Sequence, residues 1–568
     1  MKNIKKTIFT ITLLFVLSAC SSKSTVGTLD WQSVKNNGEG ISLESKKIAN
    51  YNLSFDSDAF QNAMKNADDD VVNRKSIYTF SGDMNKVNSL FSNLRVKLNV
   101  ARAKYYAYGK DEHKNTFNTL YEQYLSFYSW YYAFLQHVKS SSPEIYNAFF
   151  ADMSEAEIEE YITNFLYTEQ TKKLDTEIND IHNEQEEAYN QFITDFRAKK
   201  IVRGDSGWNE FLNSSLNRFR DVMTKGNEYA SCYGFDNYLD YVYAKWYNRN
   251  YQYDFVDDYA VLFDNYVVPS LQYYIDNVDN SIIEPKAKKA LFENYISSNI
   301  ANSACFQGDA LDAYVKQMGG EMANSYSHLK KDGYYIFSND SNSLGTAYVS
   351  SGIDDPVIFF SKNYQNITTI VHEFGHYNAA YVNQYNYSFP FDVEETHSQG
   401  NEMLFNYFIT SYYADSEDLD VYKYIQDYEV YDMLSGAILP TAVAQVETYI
   451  FENLDKSNEE LMSTAETMMG KYRNLIQYGS DLIYAYWASP IVSSTGYYIS
   501  YSTSGVAAVG VYLQAKENYA KAKENYRKLV TYPEAETDID TIFTYSGLYS
   551  PLKESTFEKL TPANLYSF

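Results

Sequence analysis

Residues 372–376 read His-Glu-Phe-Gly-His, in a chain of 568 residues that holds only 7 histidines. Histidines four positions apart lie on one face of a helix, one turn apart. That spacing lets two imidazoles bind one Zn²⁺. By composition alone such a pentapeptide is expected in well under ~0.05 of similar chains. Glu373 is rotated away from the histidine pair. A carboxylate there can take a proton from an attacking water and return it to a leaving amine. A catalytic zinc also needs a third protein ligand and one open position. Downstream comes Asp392-Val393-Glu394-Glu395-Thr396-His397-Ser398-Gln399-Gly400-Asn401-Glu402, in which Glu394, Glu395, His397 and Glu402 all have ligand chemistry. Spacing does not choose among them, and acids at the start of a helix also suit its dipole.

Several elements must position these residues. The pattern predicts a helix over 366–381, with Ile370, Val371 and Phe374 anchoring it in the core, and a second amphipathic helix through Met403, Leu404, Phe405 and Tyr407. Just upstream, 334–338, 346–350 and 356–360 are short, rich in β-branched and aromatic residues, and separated by Asn, Ser, Gly and Asp. They read as strands of one small sheet. Elsewhere apolar residues recur at three- and four-residue spacing, predicting helices over 87–108, 114–138, 155–167, 170–197 and 505–531. Ser154 before Glu155 and Glu157 reads as an N-cap with an acidic first turn. Gly204-Asp205-Ser206-Gly207 breaks the helical pattern. It divides an N-terminal helical region, 46–205, from a catalytic region, 206–568.

Hydrophobic residues are 45% of the chain and charged residues 21%, a globular balance. The formal charge of −27 repels phosphate backbones and argues against nucleic-acid binding. The N-terminus begins MKNIKKTIFTITLLFVLSAC. A basic start, an apolar stretch too short to span a bilayer, and Leu17-Ser18-Ala19-Cys20 look like a bacterial lipoprotein signal over 1–19. Cys20 would then carry the lipid, 20–45 would be a polar tether, and the protein would be extracytoplasmic, lipid-anchored to a bacterial cell membrane. The remaining cysteines, Cys232 and Cys305, are open to pairing or to standing as two buried thiols.

The runs Gly345-Thr346-Ala347-Tyr348, Pro356-Val357-Ile358, Thr369-Ile370-Val371-His372-Glu373-Phe374-Gly375-His376 and Glu395-Thr396-His397-Ser398-Gln399-Gly400-Asn401-Glu402 resemble the thimet-oligopeptidase-like zinc metallopeptidases, most closely their oligoendopeptidase F branch. Gly234 to Tyr241 and Asp538 to Pro551 are also similar to family segments. The resemblance implies a mainly α fold, with two helical halves enclosing a deep substrate channel and a small β-sheet beside the HExxH zinc helix. It implies His372, His376 and Glu395 as ligands of one Zn²⁺, with Ser398 and Glu402 in step and Glu394 off pattern. It implies Glu373 as general base, and Gly345, Ala347 and Tyr348 as the strand that pairs with an extended peptide. The family also uses a late tyrosine to steady the oxyanion, usually just after a histidine. The matching stretch here, Ser494 to Gly505, has Tyr497, Tyr498 and Tyr501, but no histidine follows His397. One register places Tyr497 and Tyr501 on family tyrosines; another places Ser500 on the key position.

The function these readings imply is a zinc-dependent endopeptidase. It would act on short unfolded peptides outside a bacterial membrane, with no nucleic-acid or protein partner. The alternatives are a metallocarboxypeptidase-like or dedicated processing peptidase, or a lipid-anchored peptide-binding protein without turnover.

Overall fold

The computed structural model describes residues 42–150, 153–278, 309–344, 347–350, 355–365, 367–384, 389–415, 419–476, 481–533 and 538–568. The chain is mainly helical, with one small four-stranded sheet. Helices Ser57–Val72, Ile77–Tyr108, Asp111–Lys139, Pro143–Phe150 and Glu155–Thr163 enclose a core of their own, in which Phe91 stacks on Phe127 at 3.8 Å. Ser154 caps as its sequence predicts: its hydroxyl accepts the Glu157 N–H at 3.3 Å, and its own N–H donates to the Glu157 carboxylate at 2.6 Å.

A second, larger core takes in most of the rest of the chain, beginning at Leu174. The break at 204–207 joins two helices that share this core. Helices Glu169–Arg197 and Ser206–Cys232 meet through Phe192 and Phe211, stacked at 4.1 Å. The two cores therefore part earlier than that break, between Phe165 and Leu174.

The sheet order is β1-β2-β4-β3, from β1 (Leu43–Glu44), β2 (Tyr334–Phe337), β3 (Ala347–Ser350) and β4 (Val357–Phe360). β1 and β2 are antiparallel, β2 and β4 parallel, β4 and β3 antiparallel. The three strands read from the sequence are all present. β1 falls in residues assigned to the tether, and its pairing brings the ordered chain into the fold ahead of residue 46. Period-two alternation splits the sheet cleanly. Tyr334, Ile336, Tyr348, Val357 and Phe359 face the last turns of Ile77–Tyr108, at Val100, Ala103 and Ala107. Phe337, Ala347, Val349, Ile358 and Phe360 face the larger core, with Ile367, Ile370 and Val371. Burial on both faces explains why β4 is apolar throughout. Helix Ile77–Tyr108 spans about 48 Å at 1.5 Å per residue and so runs from the N-terminal core to the outer face of the sheet.

The late helix runs Ile499–Val530, starting ahead of the expected 505, and is interrupted at Asn518 (φ −158°, ψ 95°). The Asn518 side chain accepts the Lys521 N–H at 3.1 Å and caps the second segment, which is why the interruption falls there. Among the described residues, no helix is long and apolar enough to cross a membrane. Cys232 is half-buried; Cys305 and Cys20 lie outside the described residues.

Candidate metal centre

Helix Ile367–Asn383 carries the histidine pair. Ile370, Val371 and Phe374 are buried and seat it on the sheet, leaving His372 and His376 on a half-buried face. The third donor arrives on helix Phe391–Tyr412, which crosses it closely. Gly375, inside the His-Glu-Phe-Gly-His motif, makes that crossing possible. A Cβ there would meet the His397 carbonyl oxygen at 2.4 Å and the Ser398 Cα at 2.7 Å, so any side chain would push the helices apart. Asn401 locks the crossing by donating from Nδ2 to the Val371 carbonyl at 2.8 Å.

At this crossing one donor atom each from His372, His376 and Glu395 falls within 4.8 Å of the others. Glu395 Oε2 lies 3.8 Å from His372 Nε2 and 3.6 Å from His376 Nε2. Among the described residues this is the cluster of such donors, and Glu394, His397 and Glu402 are not part of it. Each does something else. Burial, then the neighbouring Glu395 charge, pushes Glu394 up to about 8, so it sits protonated at neutral pH. His397 is fully buried with its ring edge-on to Phe389 at 4.9 Å, and burial pushes it down to about 3. Glu402 accepts from His372 Nδ1 at 2.6 Å, which turns the Nε2 lone pair toward Glu395. Burial opposes protonation of His372, while the Glu402 hydrogen bond and the surrounding carboxylates favour it, so without an ion the carboxylates raise the ring above its ordinary value. The Ser398 hydroxyl donates to the Glu395 backbone carbonyl at 2.8 Å and lies 3.3 Å from Glu395 Oε2. Burial works against ionisation of Glu395, yet the two imidazoles hold its carboxyl below the usual range.

Glu373 is buried beside this cluster, and its Oε2 has no hydrogen-bond partner among the described residues. Burial raises its carboxyl above the ordinary range. An orphaned carboxylate oxygen next to two imidazole nitrogens and an ionised carboxylate is the donor chemistry of a zinc site with a base at hand.

The tyrosines sort by position. The Tyr497 and Tyr501 hydroxyls are 2.6 Å apart, and the Tyr497 ring lies 5.0 Å from that of Phe391, one helical turn before Glu395; burial, with the Glu395 charge adding to it, raises both phenols. Tyr498 puts its hydroxyl 3.4 Å from that of Tyr486. Ser500 is fully buried, hydrogen-bonded to Arg249 and Asp392. Of the two registers, one places this tyrosine pair on the family tyrosines and the other places the buried Ser500 there. Ala347 and Tyr348 lie on β3, the edge of the sheet that packs on the HExxH helix. The Tyr348 ring points to the other face, against Tyr106 at 5.6 Å, so on the cluster side β3 offers its backbone. Gly345 lies outside the described residues.

No family model matches the sequence, and no curated protein matches it. Solved structures do. PZ peptidase A with an inhibitor superimposes at TM-score 0.63 over 91% of this chain and 98% of that one, at 16% identity. The crystal structure of oligoendopeptidase-F from Enterococcus faecium gives a TM-score of 0.51 over 89% of this chain and 95% of that one, at 14% identity. The fold is that of the oligoendopeptidases. At this identity the likeness lies in the path of the chain, and within that path the oligoendopeptidase fold here sets His372, His376, Glu395 and Glu373 together.

Residues the sequence reading passed over complete the site. Arg249, whose side chain is fully buried, pairs with Asp392 at 3.0 Å. Its guanidinium stacks on Tyr247 at 4.4 Å and Tyr243 at 4.5 Å. Tyr243, Tyr247 and Tyr251 recur at four-residue spacing around an arginine. That recurrence was the available signal, and its partner lies 143 positions away.

Proposed function

We propose that this chain is a zinc-dependent endopeptidase of short oligopeptides. The observation that carries the reading is the convergence of two imidazole nitrogens and an ionised carboxylate beside a buried, unpartnered Glu373 oxygen. The oligoendopeptidase fold supports peptides as the substrate class.

His372, His376 and Glu395 would hold the ion, two neutral donors and one anion leaving a net charge of about +1 with Zn²⁺. When bound, zinc supplies Lewis acidity, polarising the scissile carbonyl and making water a competent nucleophile at neutral pH. Glu402 fixes the His372 tautomer. Glu373 takes a proton from the attacking water at its free Oε2 and passes it to the leaving amine. The Tyr497–Tyr501 pair donates a hydroxyl proton to the developing oxyanion. An extended peptide backbone would run alongside β3, the terminal strand of the sheet among the described residues, and a cleft between the two helical halves would admit unfolded chains.

The test is metal stoichiometry together with cleavage of a quenched peptide. The wild type should bind one zinc and lose turnover to a chelator. Glu373→Gln should keep its zinc and lose about 10²–10⁴-fold in kcat. Near-native turnover in that variant removes Glu373 as the base. Zinc-independent peptide binding without turnover favours a binding protein.

We place the enzyme outside a bacterial membrane, anchored by lipid on Cys20, on the strength of Leu17-Ser18-Ala19-Cys20 after a short apolar stretch. Cys20→Ala should leave the precursor unprocessed or shift the protein out of the membrane fraction. Unchanged processing and attachment count against lipidation there.

A further inference from the structure

Arg249 and Asp392 form an ion pair whose two side chains are both 0% exposed. Such a pair persists only where the remaining donors and acceptors are satisfied, and here they are. Asp392 Oδ2 accepts from Arg249 Nε at 3.0 Å and from Ser500 Oγ at 3.0 Å. Asp392 Oδ1 accepts from the Tyr251 hydroxyl at 2.6 Å and from the Thr503 hydroxyl. Arg249 donates from Nη1 to the Gly496 carbonyl at 2.6 Å, and from Nη2 to Ser500 Oγ at 2.6 Å and the Tyr497 carbonyl at 3.2 Å.

The segments joined in this way are those of the site. Asp392 sits in the first turn of helix Phe391–Tyr412, three residues before Glu395. Gly496, Tyr497 and Ser500 frame the segment that carries the Tyr497–Tyr501 hydroxyl pair. The same segment is held from its other side. Both oxygens of Glu447 accept the Gly496 N–H, at 2.9 and 3.0 Å, and the Tyr247 hydroxyl donates to the Thr495 carbonyl at 2.9 Å. Gly496 has φ +73°, and a Cβ there would press on Val242 and Tyr243 at 3.0 Å, so the tight path of the loop needs glycine. One buried pair thus references the tyrosine hydroxyls and the third ligand to a common point.

We propose that Arg249 and Asp392 are positioning residues for the reaction. They set the Tyr497–Tyr501 hydroxyls against Glu395, so that the oxyanion donor is in place before substrate binds. This rests on the peptidase reading above. In a hydroxyl pair one O–H bonds the other oxygen and one proton remains to donate outward. Its direction depends on where the segment is held, and a small displacement weakens a contact that matters most in the transition state.

The test uses the full-length zinc protein with Ser500→Ala, Asp392→Asn, Tyr501→Phe and the double variants Ser500→Ala/Tyr501→Phe and Asp392→Asn/Tyr501→Phe. Ser500→Ala removes only the bridging hydroxyl and keeps the ion pair, so it guards against a fold lost in Asp392→Asn. Four quantities are read: zinc content, melting temperature of the metal-free protein, kcat and KM separately, and affinity for a peptidic phosphinate that mimics the tetrahedral state. Ser500→Ala should keep zinc, KM and melting close to wild type. It should lower kcat and phosphinate affinity together, by about 10–100-fold, as for groups that orient a reacting residue. The double variant should then lose little more than Tyr501→Phe alone, because without the hydroxyl its positioning no longer matters. Full additivity, or losses that track zinc content or melting alone, overturns the proposal while leaving the peptidase reading intact. A wild type that neither cleaves peptide nor binds the phosphinate overturns both.

Discussion

At the metal corner, His372 and His376 stand one helical turn apart and Glu395 reaches them across a single helix crossing that Gly375 permits. At the tyrosine corner, Tyr497 and Tyr501 are also one turn apart, but what places them is Arg249, Asp392 and Glu447, each from a different part of the chain. The first corner is a balance of charge, two imidazoles against carboxylates, in which each group is an actor. The second is scaffolding, in which the buried charges do no chemistry and only hold backbone. Removing a member of the first should abolish an ion site. Removing a member of the second should leave the ion and misplace a hydroxyl.

The largest effects are expected at the metal corner. Glu395→Gln and His376→Ala should each lower zinc affinity by more than the roughly 10–100-fold typical of a group that merely orients a ligand. Glu394→Gln and His397→Ala should leave metal content near wild type, although removing the buried His397 ring should destabilise the fold. Zinc stoichiometry after dialysis against a weak chelator checks all four. If Glu394→Gln empties the site and Glu395→Gln does not, the ligand assignment is off by one residue. If only His397→Ala empties it, the site is of a three-histidine type.

Intermediate effects should fall on the tyrosines and should spare zinc. Tyr501→Phe or Tyr497→Phe should lower kcat by up to about 10²–10³-fold, the range for loss of an oxyanion donor. Tyr498→Phe, whose hydroxyl is turned to Tyr486, should cost least. Equal losses in all three would erase the distinction drawn between them. Breaking the scaffold by Arg249→Ala leaves Asp392 buried and unpaired, at about 3–5 kcal/mol, and should appear first in melting temperature.

The smallest effect is a pH dependence. Burial pushes Glu447 up to about 8, above its ordinary 4.5, while the Gly496 N–H and Arg249 pull the other way. A carboxyl raised in the fold binds more protons folded than unfolded, so its contribution is fully present below the unfolded value and fades as pH rises through about 8. Glu447→Gln, fixed in the neutral form, should therefore gain on the wild type in denaturant midpoint between pH 6 and pH 8. A constant difference across that range would mean that Glu447 is already ionised in the fold.

Much of the architecture was legible because it is periodic. Strands β2, β3 and β4, the HExxH helix and the N-cap at Ser154 follow from patterns a few residues long. Two features of the fold are not carried by any such pattern. β1 is only two residues, too short for a pattern, and exists because β2 is there to pair with it. Gly204 and Gly207 mark a real turn, and the helices on either side of it pack together through Phe192 and Phe211.

The sequence by itself determined that His372 and His376 share one helix face, because a helix repeats every 3.6 residues and its geometry is local. Spacing left open which acid joins them, a choice that only the family resemblance directed to Glu395, and which tyrosine lies nearby. Those depend on where Gly375 lets two helices touch and where Arg249 meets Asp392, 143 positions away. A contact of that span is decided by the packing of the whole core, and no spacing along the chain encodes it.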